Sequence, residues 1–235
     1  AYDVKEVIEV LADENTFFEI KSLYAAELVT GLCRIEGKVA GIVANQPKVK
    51  GGVLFVESSD KAARFIQVCD AFNIPILFLA DVPGFMIGSK SEREGMIRAG
   101  AKFIHAMSNA SVPKLTLIIR KAFGAGLYAM CGPAFDCDSV IALPSAAIAV
   151  MGPEPAVNAV YYNKLAAMGE DERKAFLKEK MVEYEKNINI YRMASELVID
   201  SLIDFDEARS EVAKRFDLMK TKKKSVKEHS SILPM

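Results

Sequence analysis

Two near-continuous apolar runs constrain this chain most: IPILFLAD at 74–81 and KLTLIIR at 114–120. A strand with one wet face alternates apolar and polar residues. Runs that do not alternate are buried on both sides, which in a water-soluble chain means a parallel sheet covered by helices. The flanking segments agree. SSDKAARFIQVCDAFN at 58–73 precedes the first run, and Ala62, Phe65, Ile66, Cys69 and Phe72 are predicted to line one helix face. Ser58 or Ser59 is placed to cap it, and Asn73-Ile74-Pro75 to stop it. The unit then recurs: SEREGMIRAGAKFIHAMSNA is a second amphipathic helix, stopped at Val112-Pro113 before KLTLIIR.

The rest of the chain fits around this pair. Apolar residues at 4, 7, 8 and 11 give DVKEVIEVLAD a helix face. FFEIK (17–21), LVTGLCRIEG (28–37) and KVAGIVAN (38–45) are short β-rich runs, with EGK at 36–38 as a hairpin turn. A third helix is predicted after the Gly-Ala-Gly at 124–126, then strand-like runs SVIALP and AAIAVM. From Gly152 onward the strands are predicted to cease. AVNAVYYNKL, DERKAFLKEKMVEYEKN, INIYRMASELVI and DFDEARSEVAKRFDLM are helical in pattern, Asp206 or its neighbours capping the last. Alternating strands and helices make an α/β fold. No Gly, Ser or Pro linker divides it and no internal repeat shows, so the expectation is one domain: an α/β core at 1–151, a helical layer at 152–219 and a tail at 220–235.

Composition closes off several functions. The 235 residues suffice for a sizeable core, and 51% hydrophobic with 26% charged residues is a soluble balance. No uninterrupted apolar segment reaches membrane-spanning length. AYDVKEVIEV lacks a secretory signature and an initiator Met, which implies processing or excision from something longer. Cys33, Cys69, Cys131 and Cys137 form no CxxC pair and sit in apolar contexts, the pattern of buried thiols in a reducing compartment: the cytoplasm, or the mitochondrial matrix in a eukaryote. Net charge is −1; without residues 220–235 the body holds 25 basic against 30 acidic residues, or −5. The KTKKKSVK cluster reads as a solvated tail, and a body without a basic, aromatic-studded face does not bind nucleic acid.

Conventional catalytic groups are scarce. His105 falls within a helix, as a packing or surface residue, and His229 falls in the tail. HExxH, Cys/His ligand spacing, GxSxG, GxGxxG and Walker motifs are absent, so zinc, serine-hydrolase, dinucleotide and P-loop chemistry lack support and no metal is expected. Two backbone features remain: LADVPGFMIG (79–88) and IIRKAFGAGLYAM (118–130) each run from an apolar strand through a Gly-bearing loop into a helix. Ligands of α/β sheets sit at such carboxyl ends, where N–H groups point outward. Two converging loops could aim N–H donors at one oxygen and hold a transient oxyanion without an acid or base side chain. The plainer reading, that these glycines only make tight strand-to-helix joints, stays open on spacing alone. The small side chains of Gly124, Ala125 and Gly126, too short to block a reactant, tip the balance toward a site.

NQPKVKGGVLFVESSDKAARFIQVCDAFNIPILFLADVPGFMIG closely resembles the carboxyltransferase (β) subunits of biotin-dependent acyl-CoA carboxylases, among them the propionyl-CoA and methylcrotonyl-CoA carboxylases and the transcarboxylase large subunit. REGMIRAGAKFIHAMSNASVPKLTLIIRKAFGAG and AAIAVMGPEPAVNAVY continue the match, and the Pro of HSSILPM resembles the family's ending. The resemblance covers essentially the whole chain and implies the C-terminal of two related carboxyltransferase domains. It also implies a crotonase-like (ClpP/crotonase) fold of repeated ββα units with backbone oxyanion holes. The first family domain chiefly binds acyl-CoA and the second chiefly carboxybiotin, across a subunit interface. Implied partners are therefore the acyl-CoA, biotin carboxylase and biotin carboxyl carrier subunits, the N-terminal carboxyltransferase domain, and further copies in an oligomer.

Carried over residue by residue, the family's Gly-Gly-Ala falls on Gly124, Ala125 and Gly126, and the resemblance makes the N–H groups of Ala125 and Gly126 the donors to the ureido oxygen of biotin. Val82, Pro83, Gly84 and Phe85 would shape the biotin pocket, with Gly124, Leu127 and Tyr128 beside them. The chain departs from the family at one point. Propionyl- and acetyl-specific members commonly follow the triplet with Tyr-Asp, where this chain has Leu127-Tyr128, closer to a methylcrotonyl-type pattern. Larger, branched or aromatic acyl groups fit that change. Cys131, one turn on, is a small packing residue. Three alternatives differ in class: a biotin-dependent decarboxylase subunit running the half-reaction in reverse; a crotonase-type hydratase or isomerase, with Asp81 or Glu154 as its acid; and an assembly domain whose helical layer serves oligomerisation.

Overall fold

The computed structural model describes residues 1–222; His229, the Lys cluster beyond Lys222 and the closing HSSILPM lie outside them. The chain opens with α1 (Val4–Leu11), where Asp3 accepts a capping bond from Lys5 N–H and Val4, Ile8 and Leu11 are buried. Strands β1 (Phe18–Ile20), β2 (Leu28–Ile35) and β3 (Lys38–Asn45) form an antiparallel meander. The β2–β3 turn is the expected hairpin. Glu36 and Gly37 take φ of 48° and 78°, the doubly left-handed turn whose twist suits the flanking strands.

The pairing then becomes parallel. After α2 (Val56–Ala71), β4 (Ile76–Val82) lies beside β3; after α3 (Ser89–Arg93) and α4 (Met96–Asn109), β5 (Lys114–Phe123) lies beside β4. Following α5 (Gly124–Ala129), β6 (Ser139–Ala142) pairs with the first half of β5 and β7 (Ala147–Ala149) with its last residues. The chain continues as α6 (Pro153–Val160), α7 (Tyr162–Ala166), α8 (Glu170–Asn187), α9 (Ile190–Ser195), β8 (Ser201–Leu202) and α10 (Ala208–Met219). The sheet runs β1-β2-β3-β4-β5-β6-β8, eight strands with β7 off that path on β5.

Both faces of the sheet are covered, which is why its central strands do not alternate. Leu28, Val43, Phe78 and Ile118 meet Ala62, Phe65 and Ile66 of α2 and Phe103 and Met107 of α4 on one side. Val29, Ile42, Leu77 and Leu117 meet Ile8 and Leu11 of α1 and Val212 and Phe216 of α10 on the other. At about 1.5–3 kcal/mol for each fully buried large apolar side chain, these two layers supply the main driving force for folding. The four cysteines are free, three of them buried. No helix among the described residues is long and apolar enough to cross a membrane.

Several local expectations are corrected. Strands do not cease at Gly152: β8 joins β6, its approach fixed by the Asp200 carboxylate, which accepts from Val140 N–H (2.7 Å) and Ser139 Oγ (2.8 Å). The helix at 58–73 begins earlier, at Val56. Ser58 sits inside its first turn, accepting from Phe55 N–H at 2.7 Å, and Phe72 at its end is 73% exposed rather than on the buried face. Left-handed Gly95 (φ 93°) breaks the 91–110 segment between α3 and α4. Residues 156–165 split into α6 and α7 at Tyr161, and only Ile190–Ser195 of 188–199 is helical. Asp206 lies within a 3₁₀ turn at Phe205–Glu207 that leads into α10, and its neighbour Glu207 takes the N-cap position without a side-chain capping bond.

One buried charge ties α2 to the meander. Lys61 is 2% exposed, and its Nζ donates to the carbonyls of Tyr24 (2.7 Å), Ala25 (3.3 Å) and Leu28 (2.6 Å). Burial holds its ammonium down to about 8. Replacing it with Met strands three carbonyls, so Lys61→Met should lower urea-unfolding stability by about 1–3 kcal/mol. The unfolded chain keeps this proton to about 10.5 while the folded one releases it near 8, so wild-type stability should rise through that window. Its lead over Lys61→Met should therefore widen from pH 8 to pH 10.5; a constant or shrinking lead contradicts the assignment.

Candidate functional site

The site is set by how β4 and β5 end. Their ladder runs from Ile76↔Lys114 to Ala80↔Ile118, then jumps to Val82↔Ala122. Asp81 alone therefore faces Ile119, Arg120 and Lys121, a surplus that bends β5 as a bulge does. Asp81 is fully buried and its carboxylate fills the irregularity. Oδ1 accepts from Lys121 N–H at 3.2 Å and lies 3.7 Å from Lys121 Nζ; Oδ2 takes Arg120 Nε and Nη2, both at 3.1 Å. Asp81 N–H in turn donates to Asn45 Oδ1 at 3.2 Å, at the end of β3.

Beyond the bulge the two strands deliver a loop and a turn. Ala122 and Phe123 pair with Ile148 and Ala149 of β7, and the chain reverses at Gly124 (φ 57°) into α5. A methyl group on Gly124 would lie 3.0 Å from the Val150 carbonyl oxygen, in a left-handed conformation that already disfavours a side chain. A methyl on Gly126 would lie 2.8 Å from Val82 Cγ2 and 3.0 Å from Gly84 Cα. The 82–88 loop is thus seated directly on the turn. It is also stitched to the segment before α2: Leu54 N–H donates to Gly84 O (3.0 Å) and Met86 N–H to Leu54 O (2.8 Å). The Phe85 ring covers Gly100 of α4.

The structure brings together the two stretches that the sequence singled out, and sorts their residues. Pro83, Gly84, Phe85 and Gly124 are half-buried, Ala125 is exposed, Val82 and Gly126 are buried. Tyr128 is 41% exposed, its ring 5.0 Å from that of Phe135. Leu127 does not face the site: it is 6% exposed and its side chain packs in the core with the α2 and α4 layer. Nor does Gly126 leave open space, since Val82 and Gly84 occupy it. Gly124, Ala125 and Gly126 form the first turn of α5, whose N–H groups have no partner within that helix.

Side-chain candidates fare differently. Asp81 is engaged on both oxygens, so it is no free base for a hydratase, and Glu154 stands exposed in the first turn of α6. His105 is half-buried on α4, with Nδ1 3.4 Å from Asn109 Nδ2. Cys131 is fully buried, its thiol pushed well up by burial, and its carbonyl accepts from Thr116 Oγ1 at 2.6 Å; it packs. Sequence reasoning passed over Arg120, Lys121 and Asn45. The available signal was a charged pair interrupting an apolar run just before Phe123-Gly124.

The close approach at Gly126 is open to a direct check. Gly126→Ala must push back Val82 and the Gly84 backbone, and should cost about 1–3 kcal/mol in urea unfolding. A variant as stable as the wild type would mean that loop and turn are not in contact.

A carboxyl transferase domain pattern matches residues 1–232. An uncharacterised carboxylase of Bacillus subtilis, YngE, is 62% identical over 221 residues, 94% of this chain and 43% of that protein. A putative propionyl-CoA carboxylase beta chain of the same organism is 44% identical over 234 residues, 98% of this chain and 46% of that protein. The crystal structure of transcarboxylase 12S, described as a hexamer with methylmalonyl-coenzyme A bound, superposes with a TM-score of 0.91 at 41% identity, covering all of this chain and 45% of that one. The chain thus spans less than half the length of these relatives, and its sheet and helices are those of the crotonase-like carboxyltransferases. On this agreement of pattern, relatives and fold, the chain belongs to the carboxyl transferase domain family.

Proposed function

We propose that this chain is the biotin-facing half of an acyl-CoA carboxyltransferase, moving a carboxyl group between biotin carried on a partner protein and an acyl-CoA. The observation that carries the reading is the seating of the Val82–Phe85 loop on the Gly124–Gly126 turn, at the carboxyl ends of adjacent parallel strands. The exposed Ala125 and the half-buried Pro83, Gly84 and Phe85 form an uncharged lip that suits a compact, neutral bicyclic group such as biotin. When bound, carboxybiotin would supply the carboxyl group and a ureido oxygen that takes up negative charge on transfer. The N–H groups of Ala125 and Gly126 would hold that oxygen, and a preorganised donor in such a place contributes about 3 kcal/mol to the transition state. The biotin anion left behind would accept the α-proton of the thioester, so no titratable protein side chain is needed.

The acyl-CoA side is assigned to the other half of the relatives' length, so the partners are an N-terminal carboxyltransferase domain, further copies of the chain, and biotin carboxylase and carboxyl carrier subunits. The same donors serve transfer in either direction, including that of a decarboxylase. Tyr128, its ring tilted against Phe135 where acetyl- and propionyl-specific members carry an Asp, makes the lip aromatic and favours a larger or branched acyl group. Free thiols fit a reducing, cytoplasmic setting.

Proline at 125 isolates the donor. It follows the left-handed Gly124 at the start of α5, where the first turn of a helix tolerates proline, yet it removes the N–H. In the ¹⁵N-labelled chain, biotin should shift the 124–126 amides; Ala125→Pro should abolish that response while the rest of the spectrum keeps its dispersion. A wild-type titration with no shift at those amides refutes the proposal.

A further inference from the structure

We propose that Asp81 is a positioning residue: its buried carboxylate clamps the irregular end of β5 and so sets where the Ala125 and Gly126 N–H groups stand against the Val82–Phe85 loop. The inference rests on the reading of those N–H groups given above. Where β5 holds more residues than β4, regular ladder bonds are lost and the strand is free to slip. The Asp81 carboxylate replaces them, holding Lys121 N–H on one oxygen and the Arg120 guanidinium on the other.

The choice of residue supports a geometric role. Asp81 closes the run ILFLA, and burying a carboxylate there incurs a desolvation penalty that an apolar residue would avoid. What the ion pair adds is a defined geometry at the foot of both site segments. Val82, next along the chain, touches the Gly126 position; Lys121 leads through Ala122 and Phe123 to the Gly124 reversal. Asn45 holds Asp81 from the β3 side, so the clamp itself is anchored. A shift at the bulge reaches loop and turn together.

The test uses the labelled 235-residue chain and biotin as probe. Asp81→Asn turns an amide N–H₂ toward the Arg120 guanidinium, opposing donor to donor, while keeping the side-chain size. A misplacement of about 1 Å can cost as much as a hundredfold at a reacting centre, so biotin should bind at least about tenfold more weakly. The Ala125 and Gly126 amides should also move in the ligand-free spectrum, with α10 resonances unchanged. Arg120→Gln, altering the half-exposed partner, should act in the same direction, and it decides the matter if Asp81→Asn does not fold. Combining the two, with Asn facing Gln, should recover part of the loss. Lower thermal stability with unmoved 125 and 126 amides and unaltered biotin affinity overturns the proposal, because a merely structural role predicts that result. Should wild type ignore biotin while these variants still move both amides, the biotin reading falls and the clamp stands.

Discussion

The pairing of β4 with β5 is the constraint on which the carboxyl edge of the sheet depends. Five consecutive parallel pairs, from Ile76↔Lys114 to Ala80↔Ile118, fix the relative height of the two strands. Their side chains are locked from above by α2 and α4 and from below by α1 and α10. A close-packed interior does not deform by small degrees, so any local departure from the ladder is carried outward to the segments that follow. The departure at Asp81 lies at the last point before the chain leaves the sheet, and Val82↔Ala122 restores pairing for the loop and the turn. Their mutual placement is therefore a property of the fold, settled before any ligand arrives.

That arrangement changes what kind of chemistry is available. A side-chain acid or base works through its pKa and must be tuned by its surroundings. A peptide N–H carries no such variable: it donates at every pH at which the protein is folded, and only its position matters. Two titratable groups near the turn in sequence or across the ladder are occupied elsewhere, Asp81 with Arg120 and Lys121, and Cys131 within the core. On the proposed reading, the scarcity of histidine, which in a hydrolase would be a puzzle, is what a site built from main chain would show.

Much of the fold was legible because it rests on periodicity. The unbroken runs ending at Asp81 and Arg120 predicted a doubly covered parallel sheet, and Glu36-Gly37 predicted a hairpin. Features that rest on long-range contacts were not legible. β8 has two residues, too few for any period, and exists because Asp200 reaches β6. Phe72 kept the spacing of the buried face but falls at the helix end, where the chain turns away. α8 shows the converse: it has no buried residue, and local helical pattern alone made it readable. At the site, the Gly-Ala-Gly turn and its resemblance to a family motif were visible. The Asp81–Arg120 pair was not, because 39 residues separate the partners and only a register shift brings them together.

The three small residues at 124–126 show why a motif does not explain itself. Read along the chain, they share one property, the lack of a bulky side chain, and invite one explanation, access for a reactant. In space they differ. Gly124 is needed for its φ of 57° and for the Val150 carbonyl beside it; Gly126 is needed because Val82 and Gly84 occupy the room a side chain would take. Ala125 is the most exposed of the three, and it is the one that carries a Cβ. The glycines therefore serve the protein's own packing: they let loop and turn close on each other, with Ala125 exposed beside the joint. On the proposed reading, preorganisation is the absence of slack between two backbones, and any side chain that restored slack would loosen the donor before it ever touched a ligand.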